Sequence, residues 1–176
     1  MPVRRYHSVL VVLHWLLAAG VIFMLLMGTF ALNKMPNSAP DKIGALQGHM
    51  VVGMAIGVLT LLRLVTRLTT AHPPPASTGN PMLDKLGTLA HWTLYLLVFV
   101  MAASGFGTAL LAGLPDIVFG GIGSLPADFK GIVPRTVHGI VAKLLMLVIA
   151  LHIAAALWHQ FVRRDGLLSR MRLGPR

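Results

Sequence analysis

The chain contains no cysteine among its 176 residues. This absence excludes disulfide bonds, thiolate metal sites and a cysteine nucleophile. Glutamate is also absent, and the five acidic residues all lie outside the long apolar stretches, at Asp41, Asp84, Asp116, Asp128 and Asp165. We therefore expect neither carboxylate-based hydrolysis nor a proton relay of carboxylates through an apolar segment.

Charge of either sign is scarce. Only 11% of the residues are charged and 56% are hydrophobic, with a mean hydropathy of +0.77. A soluble domain carries about 25% charged residues. The composition therefore predicts an integral membrane protein, with residues 1–176 forming a single membrane domain in a lipid bilayer. The net charge of +10 is explained by basic residues that flank membrane spans, so no nucleic-acid partner is expected.

Four apolar stretches each reach the length of about 20 residues that a helix needs to cross a bilayer. They predict an all-α bundle of four transmembrane helices, at roughly 9–32, 45–66, 86–111 and 136–161. The first stretch is too long for the apolar region of a signal peptide, and no convincing cleavage site follows it, so we expect it to remain as a helix. The Gly- and Pro-rich linker 112–135 is expected to lie as a lid across one end of the bundle.

Lysine and arginine are distributed unequally between the two sides of the predicted bundle. Four lie on one side, and ten lie on the other, at Arg4, Arg5, Arg63, Arg67, Lys85, Arg163, Arg164, Arg170, Arg172 and Arg176. Cytoplasmic loops carry the excess of positive residues, so both termini are predicted to be cytoplasmic.

Four histidines lie inside these apolar stretches, at His14, His49, His138 and His152. His138 and His152 share one helix, where 14 residues place them about 21 Å apart along the axis and roughly 40° apart around it. Depth in the bilayer then pairs His49 with His138 and His14 with His152. Histidine in hydrocarbon is costly, so a set of four indicates function, although each one could instead hydrogen-bond across helices.

Two opposed imidazoles on different helices are the arrangement that bis-imidazole haem requires. Without cysteine, a bound haem would be non-covalent and therefore b-type. Zinc or copper fits less well, because each pair lacks a carboxylate or thiolate to complete the metal site.

The remaining histidines and one lysine are weaker candidates. His91, His159 and Trp158 lie near the cytoplasmic side, where they could line a quinone pocket or simply contact lipid headgroups. Lys143, the one charge inside an apolar stretch, would pair with a haem propionate or extend towards the interface. His7 and His72 are expected to be solvent-exposed and without a role.

The order of these features resembles the bacterial cytochrome b561 family over nearly the whole chain. The residues that carry the resemblance are Leu13-His14-Trp15, Gly48-His49, Leu89-Ala90-His91, Tyr95-Leu96-Leu97, Val137-His138-Gly139 and residues 151–159. The resemblance implies a multi-pass protein of the bacterial inner membrane with two b haems, whose axial ligands are His14, His49, His138 and His152. It also implies electron exchange with ubiquinone, and one branch of the family oxidises superoxide at the periplasmic face.

Four cations on the predicted periplasmic side are candidates for steering the superoxide anion, namely Lys34, Lys42, Lys130 and Arg135. A converging set of cations raises the local concentration of an anion and its rate of encounter. With the three aspartates on that side counted, the outer loops carry a net charge of about +1, so steering depends on whether the cations converge. The same residues could instead anchor the helices at the lipid headgroups.

Two other functions compete with a superoxide oxidase. The chain could be a quinone-linked membrane subunit that carries electrons for a partner oxidoreductase, or a haem-free transporter or scaffold that contains histidines. A homodimer is also possible through the small-residue face of Gly53 and Gly57.

Overall fold

The computed structural model of the protein describes residues 5–174, which fold into helices without a strand in that range. The helices are α1 (Ser8–Leu26), α2 (Lys42–Thr69), α3 (Pro81–Leu111), α4 (Leu114–Val118) and α5 (Val133–Trp158). α1 continues as a π-helix over Met27–Leu32, and α5 continues as a π-helix over His159–Arg163. Four spans are long and apolar enough to cross a membrane, at Ser8–Leu32, Lys42–Thr69, Pro81–Leu111 and Val133–Arg163. The predicted all-α bundle of four transmembrane helices is confirmed.

Capping residues explain why three of the helices begin before the boundaries that charge suggested. The Asn80 side chain accepts a hydrogen bond from the backbone N–H of Met82, and Pro81 occupies the first turn of α3. Pro134 occupies the first turn of α5 in the same way. The His7 imidazole accepts from the Val9 amide and caps α1, a role that we did not predict for it.

The bundle is closed by neighbouring contacts of α1 with α2, α2 with α3, and α3 with α5, together with a smaller contact of α1 with α5. Leu145 of α5 and Val11 of α1 are the most deeply buried large side chains, each 1% exposed. Many other large apolar side chains are exposed on the outer surface of the helices. An apolar exterior is what a lipid environment requires of a membrane bundle.

One end of the bundle holds residues 5–7, 70–80 and 164–174 and is called the termini face. Hydrogen bonds join these segments across the sequence: the Tyr6 amide donates to the Arg170 carbonyl at 3.2 Å, and the Trp15 indole donates to the Met171 carbonyl at 3.1 Å. The Arg170 guanidinium donates in turn to the Pro74 carbonyl at 2.8 Å. The C-terminal segment therefore crosses the end of the bundle. Arg4 and Arg176 lie outside the described residues.

The opposite end holds residues 33–41 and 112–132 and is called the loop face. The turn from α3 into α4 passes through Gly113, whose φ of 63° favours glycine. Leu114 and Val118 of α4 are buried, in a cluster with Leu32, Leu46 and Ala109. The linker therefore packs onto the helix ends, which confirms the predicted lid.

The small-residue face of α2 is partly used inside the chain. A Cβ atom added at Gly57 would lie 3.4 Å from the Cβ of Ala102 on α3, whereas one added at Gly53 would meet nothing within 4 Å. Gly57 therefore serves contact between α2 and α3. The prediction of a dimer face that combines Gly53 and Gly57 is not supported, because only Gly53 faces open space.

Candidate functional site

The four intramembrane histidines meet in the two pairs that depth predicts. The rings of His49 on α2 and His138 on α5 lie 6.0 Å apart between centroids, at an interplanar angle of 68°. The rings of His14 on α1 and His152 on α5 lie 6.3 Å apart, at 70°. Their helical positions place the first pair, called the loop-side pair, towards the loop face. The second lies towards the termini face.

A third imidazole joins the second pair. The ring of His91 on α3 lies 5.2 Å from the ring of His152, closer than His14 does. Its Nδ1 lies 2.7 Å from the Gly87 carbonyl oxygen, to which it donates. This hydrogen bond leaves Nε2 of His91 free towards the cluster. We call His14, His91 and His152 the termini-side cluster.

The loop-side pair is held by different contacts on its two rings. Nδ1 of His138 donates to the Met101 carbonyl at 3.1 Å and lies 3.3 Å from the Ser104 hydroxyl oxygen, both on α3. Nδ1 of His49 is buried and has no hydrogen-bond partner within residues 5–174. An imidazole whose Nδ1 is held by a carbonyl presents Nε2 to a metal, the usual orientation of a histidine ligand.

Glycines on the facing helices make room for these two rings. A Cβ atom added at Gly28 would lie 3.3 Å from Cε1 of His49, and one added at Gly105 would lie 3.1 Å from Cε1 of His138. Both distances are too short for an ordinary side chain without displacing the ring. Neither glycine was singled out from the sequence, because a contact between helices leaves no local pattern.

The ring separations fit haem. Two metal–imidazole bonds of about 2 Å, with about 1 Å from each nitrogen to its ring centre, span about 6 Å. The observed separations of 6.0 and 6.3 Å agree with this value. Within residues 5–174, no group of three or more histidine and aspartate side chains forms a site for a metal ion. Paired imidazoles, including one with a buried and unsatisfied Nδ1, suit the iron of a planar macrocycle better than a metal ion held by protein side chains alone.

An arginine and a tyrosine lie beside the termini-side cluster. Nη1 of Arg63 on α2 donates to the Tyr95 hydroxyl on α3, and the guanidinium carbon lies 5.2 Å from the centre of the tyrosine ring. Tyr95 follows His91 by one turn of α3, which places Arg63 beside the cluster. From the sequence, we used Arg63 only to assign orientation.

His159 and Trp158, both quinone candidates, lie where α5 becomes π-helical. His159 is 8% exposed, its ring is 5.2 Å from that of Trp158, and its Nδ1 is 2.5 Å from Oδ2 of Asp165. Burial raises the pKa of Asp165, but hydrogen bonds from His159 and the Leu167 amide, with the charge of Arg163, bring the pKa below its usual value. The carboxylate therefore stays ionised and fixes the imidazole.

Lys42 corrects one expectation about the loop face. Its side chain is only 4% exposed, and its ammonium donates to the carbonyls of Leu32 and Met35, both at 2.8 Å. These carbonyls lie at and beyond the end of the π-helix that follows α1, where backbone acceptors lack partners. Lys42 therefore stabilises a helix end and does not face the aqueous phase as a steering cation.

The other three loop-face cations do not converge fully. Arg135 lies three residues before His138 on α5 and donates to Oδ1 of Asn33 at 2.5 Å. Lys34 lies 5.7 Å from the centre of the Phe30 ring. The Lys130 side chain is 90% exposed and pairs with Asp128 at 3.2 Å, which offsets its charge.

Lys143 is exposed on α5 and makes no hydrogen bond or ion pair within the described part of the chain. Ile140, Leu144 and Leu147, which share its side of the helix, are also exposed. This position favours extension along the helix surface over pairing with a group inside the bundle.

Comparison with known proteins identifies similar chains over almost the full length. The model of a family described as prokaryotic cytochrome b561 matches residues 5–174. The chain is 28% identical over 175 residues to a probable superoxide oxidase CybB of Yersinia pestis, with 96% of each chain covered. It is 30% identical over 175 residues to cytochrome b562 of Cereibacter sphaeroides, with 94% of each covered. It is 26% identical over 181 residues to cytochrome b561 homolog 2 of Escherichia coli K12, covering 96% of this chain and 91% of that one.

Proposed function

Because the chain belongs to the prokaryotic cytochrome b561 family, a family of membrane electron-transfer proteins that carry haem b, we propose that it is a di-haem superoxide oxidase. In this function, two superoxide anions and one ubiquinone, with two protons, give two molecules of dioxygen and one ubiquinol. The observation that carries the proposal is the meeting of four imidazoles in two opposed pairs at two depths. The similarity to a relative named probable superoxide oxidase supports the choice of substrate.

Four histidines would hold the two haems. His49 and His138 would bind the haem near the loop face, and His14 and His152 the haem near the termini face. When bound, haem b takes up and gives back one electron at a time. The Met101 carbonyl fixes the ring of His138 during this exchange, because Nδ1 is already engaged.

The loop face would receive superoxide from the periplasm, with both termini in the cytoplasm. The excess of arginine at the termini face supports this orientation. Lys34 and Arg135 are the cations that remain available to attract an anion, since Lys42 is buried and Lys130 is paired with Asp128. Attraction by two cations raises the rate of encounter at low salt and fades as salt increases.

The termini face would bind ubiquinone and supply its protons. In its doubly protonated form, His159 would donate a hydrogen bond from Nε2 to a quinone carbonyl while Nδ1 donates to Asp165. Trp158 would supply an aromatic wall, and His91, a member of the termini-side cluster, would supply a second imidazole.

The first experiment is an absorption spectrum of the purified protein before and after dithionite, with a pyridine haemochrome assay. We expect reduced b-type bands and two haems per chain. A colourless protein that also fails to bind added haem would contradict the proposal and favour a haem-free transporter or scaffold.

The second experiment adds enzymatically generated superoxide to the protein with ubiquinone and measures ubiquinol. We expect ubiquinol formation that superoxide dismutase suppresses and that K34Q/R135Q slows at low salt, with K130Q as the matched control of unchanged rate. If ubiquinol reduces the haem and superoxide does not, the result would instead indicate an electron-transfer subunit of a partner oxidoreductase.

A further inference from the structure

Arg63 is a half-buried cation that lacks an anionic partner within residues 5–174. Its Nη1 is engaged by the hydroxyl of Tyr95, but its Nε is buried and makes no hydrogen bond. Tyr95 is only 7% exposed, so the pair is enclosed between α2 and α3. A guanidinium removed from water is costly unless an anion accepts from its remaining N–H groups.

The carboxylates on the termini face are already engaged elsewhere. Asp84 accepts from the Thr78 amide at 2.7 Å, from the Thr78 hydroxyl at 2.8 Å and from the Ser77 hydroxyl at 3.0 Å. Asp165 is bound by His159 and Arg163. Neither contacts Arg63, so the chain itself does not supply the anion that this site needs.

The position of Arg63 indicates where the anion comes from. Arg63 lies six residues before the last residue of α2, about 9 Å inside the helix end, and its partner Tyr95 follows His91 by one turn of α3. A b-type haem carries two carboxylates on its edge, and arginine is the side chain best suited to bind a carboxylate through two N–H groups.

We propose that Arg63, positioned by Tyr95, forms a carboxylate site beside the termini-side cluster and that this site binds a propionate of the haem held there. The proposal rests on the proposed function, because it presumes a haem between His14 and His152. Arg135, the cation near the loop-side pair, differs from Arg63 because it already donates a hydrogen bond to the amide oxygen of Asn33. Within residues 5–174, an arginine with a buried and unpartnered Nε is therefore found on the termini side alone.

The test is a redox titration of the purified holoprotein, in which the two haems are followed separately. A cation that binds a propionate stabilises the reduced haem, so R63Q should lower the equilibrium constant for reduction of the termini-side haem about tenfold, a fall of 59 mV in its midpoint potential. R63K should give a smaller fall, since lysine keeps the charge and loses the paired N–H groups. Y95F should shift the potential in the same direction.

The matched control is R67Q, which removes the same charge one helical turn further along α2, where Arg67 lies 5.8 Å from the Trp92 ring. We expect no comparable shift from R67Q. Resonance Raman spectra supply a second readout, because the propionate bending band reports its hydrogen bonds and should move in R63Q but not in R67Q.

Three results would overturn the inference. Equal shifts in R63Q and R67Q would indicate a general effect of charge. An R63Q effect that is present in phosphatidylglycerol nanodiscs and absent in phosphatidylcholine nanodiscs would assign the site to an anionic lipid headgroup. If the wild-type protein holds two haems and R63Q changes neither their potentials nor their Raman bands, the carboxylate site is rejected and the di-haem function stands. A haem-free wild-type protein would instead reject the function itself.

Discussion

The two ends of the membrane bundle hold their histidines in different surroundings. At the loop side, glycines and the Met101 carbonyl contact the pair of His49 and His138. The nearby ammonium of Lys42 donates its hydrogen bonds to the carbonyls of Leu32 and Met35. At the termini side, three imidazoles lie beside Arg63, a half-buried cation whose buried Nε has no hydrogen-bond partner within residues 5–174. Within residues 5–174, the loop side therefore lacks a partner for an imidazole nitrogen, Nδ1 of His49, whereas the termini side lacks one for a cationic nitrogen, Nε of Arg63.

This difference matches the two tasks that the proposal assigns to the ends. Outer-sphere exchange with a small anion needs a haem that is firmly held and a surface that lets the anion approach. Quinone reduction needs protons as well as electrons, and hence groups that bind and release them. Spare imidazoles and the pair of His159 with Asp165 meet that need at the termini side.

The largest expected effect distinguishes the proposed haem ligands from His91, the third imidazole of the termini-side cluster. H138A should remove the loop-side haem and H14A the termini-side haem, each leaving one haem per chain and lowering superoxide-driven ubiquinone reduction at least about 100-fold, because one missing haem interrupts the route. H91A should keep both haems. Pyridine haemochrome assays measure the content. Loss of one haem in H91A, with retention of both in H14A, would make His91 the partner of His152.

The helices and the pairing of histidines followed from the sequence, because both depend on local regularities. Apolar length gives the four spans, and the 14-residue separation of His138 and His152 fixes two depths on one helix. Capping residues set where a helix begins. α3 begins at Pro81, after its N-cap Asn80 and well before the uncharged stretch, because a helix can include charged residues outside its apolar part.

The partners of charged groups did not follow from the sequence, because they depend on contacts between helices. Arg63 meets Tyr95, 32 residues away, and Lys42 turns back onto Leu32 and Met35. Asp165 meets His159 across a π-helical turn, His159–Arg163, which ordinary helical periodicity does not predict.

The next effect concerns stability at the loop face. K42M should lower the free energy of unfolding by about 2 kcal/mol, because two carbonyls lose their buried donor. This loss corresponds to a fall in Tm of roughly 5 °C, measured in detergent by a thermal shift assay. K34M, which removes a nearby lysine that lies on the Phe30 ring, is the matched control and should change Tm by less than about 1 °C. An equal loss in both variants would contradict a special role for Lys42.

A smaller effect concerns proton delivery at the termini face. D165N should lower ubiquinone reduction about tenfold at neutral pH, because His159 loses the carboxylate that orients it. The lowered pKa of Asp165 means that its interaction with His159 is complete above the unfolded pKa of about 3.9 and is lost only as pH falls through the lower, folded value. Asp165 therefore stays ionised between about pH 5 and 8, so D165N should lower the rate throughout this range. An unchanged rate in D165N at neutral pH, or an equal fall in D128N, the control at the opposite face, would contradict the assignment.

The smallest effect concerns the hydrogen bonds of the loop-side pair. Ser104 donates to the Met101 carbonyl at 3.0 Å and lies 3.3 Å from Nδ1 of His138. S104A should make His138 a slightly weaker electron donor to iron, because one partner of Nδ1 is lost while the Met101 carbonyl remains. The ferric state is then less stabilised, and the loop-side potential should rise by about 20 mV, a twofold change in equilibrium constant, with the termini-side potential unchanged. T108V removes a buried hydroxyl that bonds only to the Ser104 carbonyl, one turn further along α3, and should leave both potentials in place. A fall in the loop-side potential of S104A, or an equal change at both haems, would show that the α3 contacts do not set the strength of His138 as a ligand.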